Sequence, residues 1–221
     1  MAQPPFPPTA ATLLLDGPAG ALETAVDPPE AEAALPLLAV VCHPLPTEGG
    51  TMHNKVVTMV ARALRELGAT TVRFNFRGTG QSAGEFDHGR GEQDDLRTVV
   101  EWARAARPGH ALWLAGFSFG AYVSLQAAAG LRPDALISIA PPAAGRGWDF
   151  SAIQVPDCPW LVVQGEADEI VDPQAVYAWL ETLPRQPQLV RMQDTSHFFH
   201  RRLIDLRGAI QNEVKAWLPQ A

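Results

Sequence analysis

Short apolar runs alternate along this chain with longer segments in which apolar residues recur at helical spacing. Residues 37–42, 111–115 and 160–164 are such apolar runs, and residues 54–67 and 92–106 have the helical spacing. This alternation predicts a mostly parallel sheet with helices on both of its faces. We count about eight strands, the first two in an N-terminal hairpin, and about five helices, so we predict a doubly wound α/β fold. In such folds ligands bind beyond the carboxyl ends of the strands, where the functional residues are therefore expected.

The chain has the length and composition of one globular domain. It contains 221 residues, of which 47% are hydrophobic and 19% are charged, and both fractions are usual for a globular protein. Residues 1–11 are rich in proline, and we interpret them as a flexible tip in front of a single domain formed by residues 12–221. We recognise no secretion signal and no apolar run long enough to span a bilayer, so we expect a cytoplasmic protein without a membrane partner.

The charge balance and the cysteines argue against several classes of function. The formal net charge is -7 at pH 7, whereas nucleic-acid binding depends on clustered Lys and Arg side chains, so no nucleic-acid partner is expected. Cys42 and Cys158 form neither a disulfide framework nor a metal-binding spacing, and Cys42 is interpreted as a core residue at the end of a buried strand. The sequence has no His-Glu-x-x-His motif or other ligand cluster, so we expect neither a metal ion nor another cofactor.

The pentapeptide GFSFG at residues 116–120 matches the motif G-x-S-x-G, between a predicted strand and a predicted helix. In that context the motif places a serine nucleophile at a sharp turn, with glycines where a Cβ atom would collide with a neighbouring element. Ser118 is therefore the predicted nucleophile, and the backbone N–H of Phe119 is predicted to face the oxyanion that forms during the reaction. Ser124 and Ser138 lack such glycine neighbours and are weaker candidates.

The acid that accompanies a serine nucleophile in this motif class follows it in the chain, and the histidine comes last. Asp168 lies just after the predicted strand 160–164 and is the predicted acid. Asp172 is its main competitor, but it precedes a proline at a helix start and is better explained as an N-cap. Glu166 and Glu169 remain alternatives.

His197 and His200 are the only histidines after the predicted acid. His197 lies in the loop between the last strand and the last helix, which we predict over about residues 198–218. His200 falls one turn into that helix and is interpreted as a surface or packing residue. We predict that His197 takes the proton of Ser118 and returns it to the leaving group, while Asp168 orients the imidazole.

The loop CHPLP at residues 42–46 follows the first parallel strand, where folds of this kind supply a second oxyanion donor. Such a donor is a backbone N–H, and Pro44 and Pro46 have none. Leu45 is therefore the predicted donor, and His43 is interpreted as a structural residue that braces the loop.

Three segments of the chain carry a family resemblance. They read CHPLPTEGGTMHNKVV from residue 42, FNFRGTGQSAGEFD from residue 74 and GFSFG from residue 116. Together they resemble the compact bacterial α/β-hydrolases, which are relatives of the dienelactone hydrolases and the carboxylesterases. With the segments around Asp168 and His197, the resemblance covers about residues 35–217. It implies the α/β-hydrolase fold and a triad of Ser118, Asp168 and His197, in agreement with the order and spacing of these residues.

The resemblance also has limits that concern the substrate. Dienelactone hydrolases carry a cysteine where this chain has Ser118, so their lactone specificity is not transferred. Many α/β-hydrolases insert a helical lid between two late strands, but here only residues 141–159 separate two predicted strands. That length is too short for a lid domain, so we expect no cap domain and an open site. The segment 146–148 is a candidate for covering the site instead.

The predicted function is hydrolysis of small to medium carboxylic esters through an acyl-enzyme on Ser118, with a small-molecule ester as the partner. Thioesterase, small-amide hydrolase and acyltransferase activities use the same triad, and the sequence does not separate them. A non-catalytic binding module of the same fold is a further alternative. Phe117, Phe119 and Trp148 are candidates for apolar walls of the substrate pocket, with core packing as their alternative role.

Overall fold

A computed structural model describes residues 3–30, 32, 34–143 and 147–220 of the chain. Within these residues one sheet contains eight strands in the order β1-β2-β4-β3-β5-β6-β7-β8. The strands are β1 (Ala11–Gly17), β2 (Gly20–Asp27), β3 (Leu37–Cys42), β4 (Thr70–Phe74), β5 (Ala111–Phe117), β6 (Ala135–Ile139), β7 (Trp160–Gly165) and β8 (Gln188–Met192).

The sheet is antiparallel at one edge and parallel elsewhere. β1 pairs with β2, and β2 with β4, in antiparallel register, whereas the neighbouring pairs from β4 across to β8 are all parallel. Strands β3, β6 and β7 are buried along their whole length, and β5 is buried except at its first residue. Helices on both faces of a parallel sheet require such continuous apolar strands. The predicted doubly wound sheet with an N-terminal hairpin is therefore confirmed.

In the described part of the chain, five α-helices cover the two faces of the sheet. They are α1 (Lys55–Glu66), α2 (Gly91–Ala106), α3 (Phe119–Leu131), α4 (Pro173–Glu181) and α5 (Leu203–Val214). Leu38 and Val40 of β3 belong to a core cluster with residues of α2, α3 and α4, whereas Ala39 and Val41 belong to a cluster with residues of α1 and α5. Because successive side chains of a strand point to opposite faces, α2, α3 and α4 cover one face and α1 and α5 the other.

The last helix begins five residues later than the predicted start at residue 198. Phe199 and Arg201 have positive φ values of 52° and 59°, which a right-handed helix cannot contain. The loop that carries His197 therefore continues to Arg202, and α5 begins at Leu203.

The proline-rich N-terminal segment contacts α2. The ring of Phe6 stacks on Trp102 with centroids 4.8 Å apart, and the Arg107 guanidinium lies 4.6 Å from the Phe6 ring centroid. The indole N–H of Trp102 donates to the carbonyl of Pro4 at 2.8 Å. These contacts concern residues 4–6, and the flexibility expected for residues 1–11 as a whole stays a prediction.

The connection between β6 and β7 contains no cap domain. Residues 140–143 and 147–159, the described parts of this connection, include neither a helix nor a strand, so the absence of a cap domain is confirmed. Arg146, part of the segment considered as a cover for the site, lies outside the described residues. None of the helices in the described ranges is long and apolar enough to cross a membrane.

Candidate active site

Ser118 lies in a sharp turn between β5 and α3. Its backbone has φ 53° and ψ -118°, a conformation that strains a non-glycine residue by about 1–3 kcal/mol. Hydrogen bonds hold this backbone, because the N–H of Ser118 donates to the Ile139 carbonyl at 2.8 Å and its carbonyl accepts from the Ala121 N–H at 2.9 Å. The turn leaves Ser118 partly exposed at the N-terminus of α3, whose dipole favours negative charge there.

The two glycines of the motif allow strand and helix to approach closely. A Cβ atom on Gly116 would lie 2.2 Å from the carbonyl oxygen of Gly120, and a Cβ on Gly120 would lie 2.4 Å from the carbonyl oxygen of Cys42. These are backbone atoms of packed elements, which cannot move aside as a flexible side chain can. The glycines thus bring the start of α3 against the end of β3, next to the predicted oxyanion loop.

His197 and Asp168 form a buried hydrogen-bonded pair. The Nδ1–H of His197 donates to Oδ2 of Asp168 at 2.8 Å, and both side chains are nearly inaccessible to solvent. The N–H groups of Ile170 and Val171 donate to Oδ1 of Asp168 at 2.9 and 2.8 Å. Gln164 at the end of β7 donates from Nε2 to Oδ2 at 3.0 Å. The carboxylate is therefore held by four donors.

These donors keep Asp168 ionised. Burial alone disfavours the charged form, but the hydrogen bond and charge of His197 and the two backbone N–H groups outweigh it, so the pKa of Asp168 lies below its ordinary value. An ionised Asp168 holds the proton of His197 on Nδ1. The other ring nitrogen, Nε2, is then the one able to accept a proton.

The competing acids and the second histidine have other positions. Asp172 is the N-cap of α4, where Oδ1 accepts from the Gln174 N–H at 3.0 Å, as its sequence context indicated. Glu169 accepts from the backbone N–H of His197 at 3.1 Å and thereby positions the loop rather than the ring. Glu166 and His200 are exposed.

Ser118 and His197 line the same cleft at the carboxyl ends of the parallel strands. The cleft has an empty volume of about 590 Å³, counted with the space that opens to solvent. Leu45, Phe119 and Trp148, three of the residues predicted around the site, also line it. The structure therefore brings together all the predicted site residues except Phe117.

The structure corrects the prediction for Phe117 as a pocket wall. Its side chain is fully buried and belongs to the core cluster on the face covered by α1 and α5. It packs under the loop that carries His197 instead, with ring centroids 5.0 Å from His197 and 6.0 Å from Phe198. Residues of a fully buried strand are apolar on both faces, so the sequence pattern does not tell which face a given residue occupies.

The backbone N–H groups of Leu45 and Phe119 are available for a ligand. Neither makes a hydrogen bond to any residue in the described part of the chain, and both residues line the cleft with Ser118. The carbonyl of Leu45 accepts from the N–H groups of Glu48 and Gly50 at 3.1 and 3.0 Å, so the loop folds back on itself as a tight turn.

His43 braces this loop as a neutral side chain. Its Nδ1–H donates to the Pro44 carbonyl at 2.6 Å, and its Nε2 accepts from the Phe76 N–H at 3.0 Å. Burial lowers the pKa of His43 from 6.5 to about 4, although the bond to Pro44 opposes the shift. Burial also raises the pKa of the neighbouring Cys42 thiol, consistent with a core role rather than a reactive one.

A second buried network connects the segment before α1, at Met52, to β2 at the antiparallel edge of the sheet. Oδ1 of Asn75 accepts from the Met52 N–H at 2.8 Å, and its Nδ2 donates to Oε2 of Glu23 at 2.7 Å. Burial alone would raise the pKa of Glu23, but the hydrogen bonds from the Gln81 N–H and the Asn75 amide lower it by more. The pKa of Glu23 therefore lies below its ordinary value. The sequence reasoning did not find this network. Asn75 lies inside the FNFRGTGQSAGEFD segment, the one signal that could have indicated it.

Trp148 forms an aromatic wall of the cleft that Ser118 also lines. Its half-buried ring has centroids 5.0 Å from Phe119, 5.3 Å from Tyr122 and 6.5 Å from Phe86. Among the described residues no group of three or more His, Cys, Asp or Glu side chains is placed to hold a metal ion. The cleft thus combines one apolar wall with the polar groups of Ser118 and His197.

Comparisons with known proteins agree with this geometry. A family model described as an alpha/beta hydrolase domain matches residues 47–214. XC6422 from Xanthomonas campestris, described as an α/β serine hydrolase without a lid, is 71% identical, with a TM-score of 0.95 over 99% of each chain. An α/β serine hydrolase homologue from Coxiella burnetii is 42% identical, with a TM-score of 0.90 over 95% of this chain and 99% of that one.

A curated relative extends the similarity at the sequence level. An uncharacterised protein of Rickettsia prowazekii (strain Madrid E), RP471, is 32% identical over 184 residues, which are 79% of this chain and 77% of that protein. The family model covers most of the fold and of the cleft described above. The chain therefore belongs to the alpha/beta hydrolase family, as a serine hydrolase of the compact, lidless bacterial branch.

Proposed function

We propose that this chain hydrolyses small to medium carboxylic esters by covalent catalysis, with Ser118 as nucleophile, His197 as general base and Asp168 as the orienting acid. The observation that carries the proposal is the 2.8 Å bond from His197 Nδ1 to Asp168 Oδ2, made by a histidine that lines the same cleft as Ser118. The strained backbone of Ser118 supports it further, since strain of this kind accumulates where function requires it.

In the proposed acylation step, Oγ of Ser118 attacks the carbonyl carbon while its proton passes to Nε2 of His197. The carbonyl oxygen becomes negative and is stabilised by the N–H groups of Leu45 and Phe119, each typically contributing about 3 kcal/mol in the transition state. The bond to the alcohol oxygen then breaks, and the alcohol leaves with the proton held by His197. A water molecule, deprotonated by His197, releases the acid and regenerates Ser118.

The open cleft favours substrates that enter without a lid movement. The described residues between β6 and β7 form no cap, so we expect normal saturation with soluble esters and no jump in activity when the substrate forms micelles. Thioester, amide and acyl-transfer reactions use the same groups, and a panel of esters, thioesters and amides with a common acyl chain would rank these activities.

The proposal is tested by labelling the purified protein with a fluorophosphonate and mapping the adduct by mass spectrometry. We expect one adduct, on Ser118, that disappears in Ser118→Ala and His197→Ala. Ser124→Ala is the matched control, because Ser124 is a buried helical serine whose hydroxyl donates to the Ala121 carbonyl at 3.1 Å, and it should label as the wild type does. A folded wild type without an adduct would contradict the proposal and favour a binding module.

A further inference from the structure

A second groove continues from the catalytic cleft. Its lining includes Asn54, Lys55, Phe198, His200, Arg201 and Leu203. Asn54 and Phe198 line the catalytic cleft as well, so the two spaces meet at these two side chains. An ester bound at Ser118 can therefore extend an arm past Phe198 into this basic groove.

The cations of the basic groove are unpaired. Lys55 and Arg201 are exposed, and neither side chain makes an ion pair, a hydrogen bond or a ring contact within the described ranges; the Thr58 hydroxyl bonds to the backbone carbonyl of Lys55. Several other arginines are engaged in ion pairs, for example Arg73 with Asp27 and Arg77 with Asp95, both at 2.8 Å. None of the groove residues is acidic, although the chain carries a net charge of -7. Two unpaired cations beside a catalytic serine give this groove a local positive field.

The groove also has an apolar component that lies nearest to the catalytic groups. Phe198 is 43% exposed, and its ring centroid lies 5.1 Å from that of His197. Its backbone neighbour on the other side is the buried Phe199, which anchors the loop in the core. An exposed aromatic ring that lines both the cleft and a groove with two cations suits a short hydrocarbon arm that ends in an anion.

We propose that the basic groove recognises a carboxylate on the substrate, so that the preferred esters carry a carboxylate at the far end of the acyl or the alcohol arm. This inference rests on the proposed function and adds to it the class of substrate. Phe198 contacts the hydrocarbon part of the arm, and Lys55 and Arg201 pair with its carboxylate. The carboxylate itself takes no part in the chemical step.

The experiment compares matched neutral and anionic esters. For the acyl arm the pair is p-nitrophenyl octanoate and the mono-p-nitrophenyl ester of suberic acid. For the alcohol arm the pair is propyl acetate and 3-acetoxypropionate, and their hydrolysis is measured by titrating the acid that is released. We expect the wild type to prefer the anionic member of at least one pair in kcat/KM. In Lys55→Ala/Arg201→Ala that preference should fall about 2- to 30-fold, the range for two solvent-exposed charge pairs.

The control variant is Arg132→Ala/Lys215→Ala. Arg132 has a positive φ of 48°, as Arg201 has one of 59°, and both lysines lie in helical segments, so the backbone consequences are matched. Neither control residue lines the cleft or the basic groove, and the preference should stay unchanged. In the wild type, the preference for the anionic ester should weaken at high salt, because 1 M salt screens charges beyond about 3 Å. Equal preference in the wild type and in Lys55→Ala/Arg201→Ala would overturn the inference.

A binding measurement separates this inference from the proposed function. Ser118→Ala cannot form the acyl-enzyme, and the change in intrinsic tryptophan fluorescence, to which Trp148 in the cleft contributes, reports binding of methyl octanoate and of the monomethyl ester of suberic acid. We expect tighter binding of the anionic ester, lost when Lys55→Ala and Arg201→Ala are added. A wild type that cleaves no ester but shows this preference would contradict only the proposed function. Hydrolysis of the neutral esters with no anion preference in either measurement would contradict only the basic groove.

Discussion

Gln164 donates a hydrogen bond to the same carboxylate oxygen of Asp168 that accepts from His197, at 3.0 Å from Nε2 to Oδ2. The Gln164 side chain is completely buried, and its Oε1 has no partner among the described residues. An unpaired buried acceptor costs about 1–3 kcal/mol. A buried amide that only filled space would stabilise the fold less than an apolar side chain of the same size. The hydrogen bond that Gln164 donates to Asp168 therefore accounts for the presence of an amide at this position.

We therefore predict that Gln164→Met lowers kcat about tenfold and leaves KM nearly unchanged. The substitution keeps the volume but removes the donor, so the carboxylate has more freedom to turn away from His197, while the cleft surface stays the same. Steady-state kinetics with one p-nitrophenyl ester measures both constants. Gln186→Met is the control, since Gln186 bonds to the Leu180 carbonyl away from the cleft. A raised KM with unchanged kcat would show that Gln164 acts on the substrate instead.

Asp168→Asn and Asp172→Asn make a matched pair on one loop. Asparagine at residue 168 no longer holds the proton of His197 on Nδ1, and the loss of an orienting carboxylate of this kind lowers kcat by about 10³–10⁴-fold. Asparagine at residue 172 still caps α4, because Asn and Asp are equally good N-caps, so activity and stability should stay near the wild type. Assays of kcat and of thermal unfolding check both. Full activity in Asp168→Asn would instead assign the orienting role to Glu169.

Most of the parallel sheet and the candidate site were predictable for local reasons. The continuous apolar runs of β3 and β7 mark strands buried on both faces, and the glycines around Ser118 mark the turn that follows β5. The order of Ser118, Asp168 and His197 then left few candidates for each role. Each of these signals lies within a few residues of the feature that it predicts.

The features that the sequence did not reveal depend on distant contacts or on backbone conformation. Asn75 bonds to Glu23 across 52 positions of the chain, and no local pattern records such a pair. Phe199 and Arg201 adopt positive φ values without being glycines, so the late start of α5 has no residue-type signal. Phe117, a candidate pocket wall with core packing as its alternative, lies in the core on the face covered by α1 and α5, and because both faces of β5 are apolar, the sequence pattern does not decide between the two roles.

The buried His43 predicts a pH-dependent stability. The folded state holds this histidine neutral down to about pH 4, whereas in the unfolded chain it takes up a proton below about pH 6.5. Between these values the unfolded state binds more protons, so the free energy of unfolding falls as the pH is lowered from about 6.5 to about 4. The full difference for this one group is about 3 kcal/mol.

The measurement for His43 is urea unfolding at several pH values between 7 and 4. His43→Gln should lose stability at pH 7, because a buried hydrogen-bond network is disturbed, but its stability should depend less on pH than that of the wild type. His53→Gln is the control, since His53 is exposed, and it should follow the wild-type curve. Parallel pH curves for His43→Gln and the wild type would contradict a neutral buried histidine.

Two glycines on helices should respond in opposite directions to alanine. In Gly120→Ala the new methyl group would lie 2.4 Å from the Cys42 carbonyl oxygen and 2.6 Å from that of His43. The end of β3 and the start of α3 must then separate, at a cost of about 1–3 kcal/mol. The same displacement moves Leu45 relative to Phe119, so kcat should fall more than the loss of stability alone explains.

Gly208 in α5 has no atom within 4 Å of the corresponding position, so Gly208→Ala should stabilise the protein by up to about 1 kcal/mol through helix propensity. Thermal unfolding and kcat of both variants check this, and a Gly120→Ala protein as stable and active as the wild type would mean that the tight approach of strand and helix is not required at the nucleophile.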